Sequence, residues 1–395
     1  MAQPVRKNIA ELHPEVSEQS EYTLIIDGTN LLRISFADDR VNTDSVHYGG
    51  IFQFLLQMKI MLKKKDFDYV YVFFDDEDSG ILRYQIYNGY KANRDKHYEE
   101  HSEELSDYMK EYNANLKRMQ NTIFNKEKKV KELTPQEKLV KENFARERDM
   151  LLHMFNDLYI RWIFDDKTEG DDLIAYYVKN KKPSEKVVIM SGDEDLTQLI
   201  SDTVCIYNPR LKKFLSDKNF KEIKGFVSEN VVINKIFCGD VSDNIGKIDG
   251  VSEARLFELM PELRDRPVTI NEIKERAAEK IEERKNKKQK PLKWHQNIVE
   301  GKTRRPYNGD FYEINNKLVN LKLPLLTDEA REELDSMMYA PMDPEGRSEK
   351  NLYSFIHEHN LTELLNVDRF ASFFVDFKPL INKELKRYKK FMENN

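Results

Sequence analysis

The stretch YTLIIDGTNLL, residues 22–32, decides the reading of this chain. A run of apolar and β-favouring residues ends on Asp27, and Gly28, Thr29 and Asn30 turn it at once into an apolar helical start. A buried strand that passes through a carboxylate and a tight turn into a helix is half of a strand–helix–strand unit. The pattern recurs three times. YVYVFFDD (69–76) ends on Asp75 and Asp76, IRWIFDDKTEGDD (160–172) leads to Glu169, Asp171 and Asp172, and VVIMSGDED (187–195) leads to Asp193 and Asp195. TVCIY (203–207) reads as one more strand, and residues 48–65 as an amphipathic helix with a basic end suited to its C-terminus. Strands alternating with helices predict an α/β fold, a mostly parallel sheet covered on both faces with its strand tips along one edge.

That edge gathers carboxylates. GDVSDNI (239–245) adds Asp240 and Asp243 from a loop further on. One unscreened carboxylate pair about 4 Å apart costs roughly 4 kcal/mol at an effective dielectric near 20. The set therefore predicts divalent cations between the side chains. Magnesium prefers oxygen ligands and keeps several waters. Two such ions about 4 Å apart can clamp the attacking and leaving oxygens of a phosphodiester displacement. Each acid also has an ordinary role by itself. Asp27 can end a strand or cap a helix, Thr168 and Asp171 can open a helix, and Asp193 and Asp195 can favour a helix start. The combination in one order points to a site. The eight histidines are scattered without metal-ligand spacing, and no serine, cysteine or histidine nucleophile stands out.

Basic residues follow the second acidic tip. Arg83, Lys91 and Arg94 are spaced to line one side of a helix and the turn beyond it, where they would position phosphates. Tyr84, Tyr87 and Tyr90 are interleaved with them and either stack on a terminal base or pack in the core.

The 395 residues suffice for two domains or one domain with large insertions, and the net charge of −6 argues against a generic nucleic-acid binder. No apolar run is long enough to span a membrane, and the first residues lack a secretory h-region. Cys205 and Cys238 exclude a disulfide scaffold and fit a reducing, cytoplasmic setting. Residues 1–20 read as a flexible lead-in, 21–225 as the α/β domain, and 226–395 as a helical domain. The Glu/Lys/Arg-rich stretch 98–150 interrupts the alternation as a helical insertion, with a second helix starting at Pro135 behind the cap Thr134.

Taken together, LIIDGTNLL, VFFDD, YKANR (90–94), TEGDDLIA, SGDEDLTQL and GDVSDNI resemble, in order, the 5′-nuclease superfamily of flap endonucleases, the 5′-nuclease domain of bacterial DNA polymerase I and phage 5′→3′ exonucleases. FYEINNKLVNL (311–321) and the helical tail are most similar in character to the phage ribonuclease H type, which removes RNA primers. The resemblance implies a PIN-like, Rossmann-like sheet with a helical arch at 98–150 and a C-terminal helical domain containing a helix-hairpin-helix-like segment. It implies a two-Mg²⁺ centre in which Mn²⁺ substitutes. Asp27, Asp75, Glu169 and Asp171 would hold the first metal and Asp193, Asp195, Asp240 and Asp243 the second, with Asp172 behind them. Lys91 and Arg94 would contact the scissile phosphate, with Arg83 and Tyr90 as further nucleic-acid contacts. The implied partners are DNA with 5′ ends or flaps, RNA–DNA hybrids, and a single-strand-binding protein or sliding clamp, met by a monomer without membrane attachment. The family's glycine-rich duplex grip, Gly-Ile-Gly-x-Lys, is altered. Ser252 stands at its second glycine and Ala254 at its lysine, which leaves Arg255, a K⁺ near 245–252 and the basic segment 274–305 as candidates for holding the duplex. A PIN-type endoribonuclease and a metal-free DNA-structure binder are the rival readings. The first would lack the GDVSDN segment, and the second would lack carboxylates that are all present here.

Overall fold

A computed structural model describes residues 20–38, 40–42, 44, 46–76, 79–92, 135–361, 364 and 367–394. The lead-in expected before Ser20, residues 98–134 of the expected arch, and Arg94 lie outside them.

Six strands form one sheet in the order β3-β2-β1-β4-β5-β6. They are β1 (Tyr22–Asp27), β2 (Tyr69–Asp75), β3 (Arg161–Asp165), β4 (Lys186–Met190), β5 (Val204–Asn208) and β6 (Lys213–Leu215). The first five are parallel, and β6 returns antiparallel along β5. The five parallel strands are those expected from the apolar runs. β6 is an addition, since three residues in RLKKFLSD carry too little apolar pattern to announce a strand. The chain moves outward from β1 to β2 and β3, then crosses to the other side of β1 for β4. The sheet's topological switch therefore lies between the β1 and β4 tips, where open α/β sheets bind ligands.

Successive residues of a strand face opposite ways, and here each face has its own core. Ile25, Tyr71, Phe73, Ile163 and Ile189 look toward one core, and Leu24, Ile26, Val72, Phe74 and Val188 toward the other. The second face is covered by α1 (Gly28–Ser35), α2 (Gly49–Lys64) and α4 (Pro135–Asp157). α4 starts at the expected proline and runs past 150. Its outer turns are exposed, while Leu151, Met154 and Phe155 are buried against the sheet. Buried Glu147 on α4 accepts a hydrogen bond from Ile51 N (2.9 Å), so this helix also caps the start of α2.

The first face is covered by α3 (Ile81–Ile86), α5 (Gly170–Asn180) and α6 (Asp217–Lys224), and by helices after residue 226. These include α7 (Val231–Cys238), α8 (Glu253–Leu259), α9 (Ile270–Asn286), α10 (Lys293–Glu300) and α11 (Phe311–Val319). The tail then returns to the second face. Leu352, Ile356, Phe370, Phe377 and Leu380 join the core beneath α2 and α4. Arg161 on β3 and Glu384 on the last helix form a two-pronged buried ion pair at 2.6 and 3.0 Å, fastening that return.

Candidate active site

Each strand tip is tied to its neighbour by its own polar side chains. Asp27 is the N-cap of α1: its Oδ1 accepts from Asn30 N (2.9 Å) and its Oδ2 from the Ser191 hydroxyl (2.7 Å). Asn30 Oδ1 in turn accepts from Gly192 N (2.9 Å), which joins the β1 and β4 tips across the switch point. Thr29 Oγ1 accepts from Asp75 N (2.7 Å), and Asp75 Oδ1 accepts from Gly170 N (2.7 Å). A Cβ on Gly170 would stand 3.1 Å from that carboxylate oxygen, so the glycine in TEGDD lets the α5 start press against Asp75. Asp193 Oδ1 accepts from Asp195 N (2.8 Å).

These ties enclose a cavity of about 130 Å³ lined by Asp27, Asp75, Glu169, Asp171, Asp193, Asp195 and Asp243, with Lys91, Arg83 and Tyr90 beside them and Leu318, Val319 and Leu321 along one side. Seven of the nine carboxylates singled out in the sequence thus meet in one space. The eighth, Asp240, adjoins it: Asp195, Asp240 and Asp243 offer oxygens that all lie within 4.8 Å of one another. The ninth, Asp172, is fully buried and pairs with Arg83 behind the cavity wall.

The charges are neutralised unevenly. Glu169 is paired with Lys91 and with Arg83 (2.5 Å), and it accepts from the Tyr90 hydroxyl (3.0 Å). Burial would raise its carboxyl, but the two cations overcome this and hold it at about 2. Asp240 is likewise held at about 2: burial would raise it, but Lys235 (2.6 Å) together with hydrogen bonds from Ser242 and Asp243 N overcomes this. Among the described residues Asp27 has no cation partner, and it is pushed up to about 7 by burial and by Asp75. Asp171 is raised further, first by burial and then by Asp193, Asp27 and Asp75. Among the described residues its carboxylate has no hydrogen bond or ion pair. An all-oxygen donor set with an unbalanced negative centre fits hard divalent cations.

Several expectations are corrected by these positions. Arg83 is 4% exposed, and its guanidinium is used on Glu169, Asp172 and the Leu318 carbonyl (2.9 Å), so it faces inward rather than toward a phosphate. Tyr90 is 2% exposed, which leaves no ring face open to a base. Tyr87 stacks on Tyr307 with centroids 4.7 Å apart and planes 1° apart, the packing alternative for these tyrosines. Glu169 lines the cavity, but both of its oxygens are engaged by cations. Lys91 lines the cavity; its backbone is left-handed (φ 52°), and its N–H donates to the Asp243 carbonyl (2.8 Å). Arg255 is exposed and donates to the Gly250 carbonyl (2.5 Å), away from the cavity lining.

Two cations were not anticipated. Lys235 bridges Asp195 and Asp240, and its signal was a lone lysine in the apolar helix VVINKIFC, five residues before Asp240. Arg33 lines the cavity from α1 as an exposed cation with no ion pair among the described residues. Its signal was the charge two residues after the apolar helix start at Leu31.

The solved structures similar to this chain include the bacteriophage T5 5′-exonuclease with zinc bound and the T5 flap endonuclease in a complex with DNA and metal ions. Each matches with a TM-score of 0.53 at 17% identity, covering 86% of this chain and 98% of the T5 chain, which is a likeness of fold. In sequence, DNA polymerase I of Bacillus subtilis is 32% identical over 124 residues, 30% of this chain and 14% of the polymerase. A 5′-3′ exonuclease of Mycoplasmopsis pulmonis is 36% identical over 86 residues, 22% of this chain and 29% of that protein. The matched stretches therefore span less than a third of either relative. The family described as 5′-3′ exonuclease, N-terminal resolvase-like domain, matches residues 22–231. That range takes in more than half of the chain and, with it, four of the strand tips just described, and on this ground the chain belongs to the 5′-3′ exonuclease family.

Proposed function

We propose that this protein is a metal-dependent 5′-nuclease that hydrolyses phosphodiesters at 5′ ends and flaps of DNA and in RNA–DNA hybrids, removing RNA primers or flaps during DNA replication of the phage type. The observation that carries this reading is the centre of the cavity, where Asp27 and Asp171 converge with Asp75 and Asp193 and neither is paired with a cation among the described residues.

Two Mg²⁺ ions, or Mn²⁺ in their place, are the proposed cofactors. Asp27, Asp75 and Asp171 would hold one, with Glu169 beside it. Asp193, Asp195, Asp240 and Asp243 would hold the other, with Asp172 supporting from behind the wall. Divalent ions bound there would acidify a water and offset charge gathering on the phosphate. The remaining work falls to the chain's own residues. Lys91 and Arg33 present cations at the cavity to seat the phosphate, and Arg94 is proposed as a third. Ser191 and Asn30 fix the Asp27 carboxylate. The polar ring formed by Thr29, Asp75 and Gly170 holds the second strand tip in register with the first. A K⁺ ion at 245–252 and contacts with a single-strand-binding protein or sliding clamp belong to the same proposal, as does action as a monomer.

One gel tests it. Wild-type protein with 5′-flap DNA, nicked duplex or RNA-primed duplex should release short 5′ products in Mg²⁺ or Mn²⁺ and none in EDTA. Asp75→Asn should lower the rate at least 1,000-fold with an unchanged circular-dichroism spectrum, and Lys91→Ala should slow single-turnover cleavage strongly. Absence of cleavage of every substrate in both metals would refute the reading.

A further inference from the structure

Four of the twelve cations in the basic segment 274–305 are neutralised by acids of the chain itself. Arg276 pairs with Glu262 (2.9 Å), Lys280 with Glu283 (3.0 Å), Lys285 with Glu282 (2.6 Å) and Arg304 with Asp249 (2.6 Å). Arg276, Lys280 and Lys285 belong to α9 and Arg304 to the loop after α10, and these cations are already occupied. The densest run of remaining cations is the reverse turn between α9 and α10. In RKNKKQKPLK (284–293) there are six cations and no acid, and Lys287, Lys288, Lys290 and Lys293 are all exposed with no ion pair among the described residues.

This turn is a built feature. Lys288 takes a left-handed backbone (φ 55°), its N–H donates to the Lys285 carbonyl (2.8 Å), and Gln289 N donates to the Arg284 carbonyl (2.8 Å). Arg284 Nε closes the turn onto the Lys290 carbonyl (2.9 Å). Its place in the fold is equally fixed. Trp294, the next residue after Lys293, packs on the 249–255 turn, where a Cβ on Gly250 would stand 3.1 Å from Trp294 Cβ and the Arg255 guanidinium lies 5.9 Å from the indole. Asn297 Nδ2 donates to the Asp249 carbonyl (2.8 Å). Lys293 thus adjoins the residue packed on Gly250, and the turn that carries the four lysines is anchored through Trp294 and Asn297 to the 249–255 segment, a few residues beyond the Asp240–Ile245 loop of the site.

We infer that this lysine turn is a phosphate clamp for double-stranded nucleic acid, set beside the 249–255 turn. The inference rests on the nuclease reading above and adds to it a surface outside the cavity. Four exposed ammonium groups on a pinned backbone match the closely spaced charges of a duplex, about one per 1.7 Å of axis. Residues 284–293 include no aromatic ring, and Trp294 is occupied by Gly250 and Arg255, so the turn offers no platform for unpaired bases. The ligand class is thus a duplex read by its backbone without sequence preference.

The test is equilibrium binding of a duplex of about 30 base pairs, bearing a 5′ flap, to the full chain in EDTA over a range of KCl. The proteins are wild type, a K287Q/K288Q/K290Q/K293Q variant, and a control K378Q/K386Q/K389Q/K390Q with the same charge change on the C-terminal helix. Replacing four phosphate contacts should reduce the slope of log K against log salt by about 3–4 and weaken binding at least tenfold near 0.1 M salt. The control slope should move by less than about 1. Melting curves establish that both variants are folded. An unchanged slope in the turn variant overturns the clamp, as does an equal loss in the control. Intact DNA binding with lost binding to a polyglutamate peptide would assign the turn to an acidic protein and also overturn it. Wild type that neither binds nor cuts DNA would instead refute the nuclease reading. Wild type that cuts, with a turn variant that keeps its salt slope, refutes the clamp alone.

Discussion

The two ends of the cavity solve the same electrostatic problem differently. At the Glu169 end the protein supplies its own cations, Arg83 and Lys91, and the carboxyl is held at about 2. At the Asp27 end no cation among the described residues is in contact, and burial with like charge lifts that carboxyl to about 7. An internally neutralised carboxylate stabilises the folded chain without further help. An unneutralised one stores repulsion that only a bound cation or a proton relieves. The contrast separates the scaffold half of the acidic set from the half available to a ligand.

The largest effect should come from breaking the neutralised end. Arg83→Met leaves the fully buried Asp172 without its cation while Glu169 keeps Lys91. Removing one partner of a buried pair costs about 3–5 kcal/mol, and urea unfolding in EDTA should read a loss of that size. Arg83→Met with Asp172→Asn should recover part of it. A loss below about 1 kcal/mol would mean that Arg83 is not the keystone of this end.

Which carboxylates belong to which end was not legible in the sequence. The convergence itself was, because parallel strands with acids after their apolar runs must share one edge. Asp27, Asp75, Glu169, Asp171 and the Asp193–Asp195 segment lie where those runs placed them. The direction of Arg83 was hidden, since its partners lie 86 and 89 residues away, and nothing local in ILRYQIYNGYKANR says whether an arginine faces in or out. Tyr90 was ambiguous for the same reason. Lys235 looked like a helix surface residue, because its partners Asp195 and Asp240 become neighbours only when α7 docks. The divided course of the tail was also unreadable. Amphipathic periodicity reveals that a helix has an apolar face, but not which side of a sheet will cover it.

A smaller effect sharpens the unneutralised end. Asp27 has an ordinary value of 3.8 and lies near 7 in the folded protein. The folded state thus binds more protons than the unfolded state between those values. Its contribution to stability is full below about 4 and is lost as pH rises through about 7, on the order of a few kcal/mol. Metal-free melts should show that decline from pH 4 to 7, and Asp27→Asn should flatten it. Asp171→Asn should raise the metal-free melting temperature, equivalent to about 0.5–2 kcal/mol, while shrinking the stabilisation that added Mg²⁺ confers. The Glu169 end has the opposite sign: its contribution is present above about 4.5 and is lost only as pH falls through about 2. A metal-free protein whose stability is flat from pH 4 to 7 would erase the distinction between the two ends.

The smallest effect asks how far a neutral group can stand in for a cation. Ser191 is fully buried; its hydroxyl donates to Asp27 Oδ2 (2.7 Å) and accepts from Asp193 N (2.9 Å). It lowers the Asp27 carboxyl, as does the bond from Asn30 N, but both are outweighed by burial and Asp75. A hydrogen bond to a charged group is worth about 1.5–3 kcal/mol, and this carboxyl is protonated for part of the pH range, so Ser191→Ala should cost about 1–2 kcal/mol. It should also move the upper edge of the pH window upward. At pH 7 more of the Asp27 population would then hold a proton, and Mg²⁺ titration followed by melting should give an affinity lowered by up to tenfold. Ser191→Thr, which keeps the hydroxyl, should restore the window edge if its added methyl is accommodated. An Ala variant whose window edge stays in place would leave burial and Asp75 alone in control of Asp27, and the β4 tip would then serve only to shape the cavity.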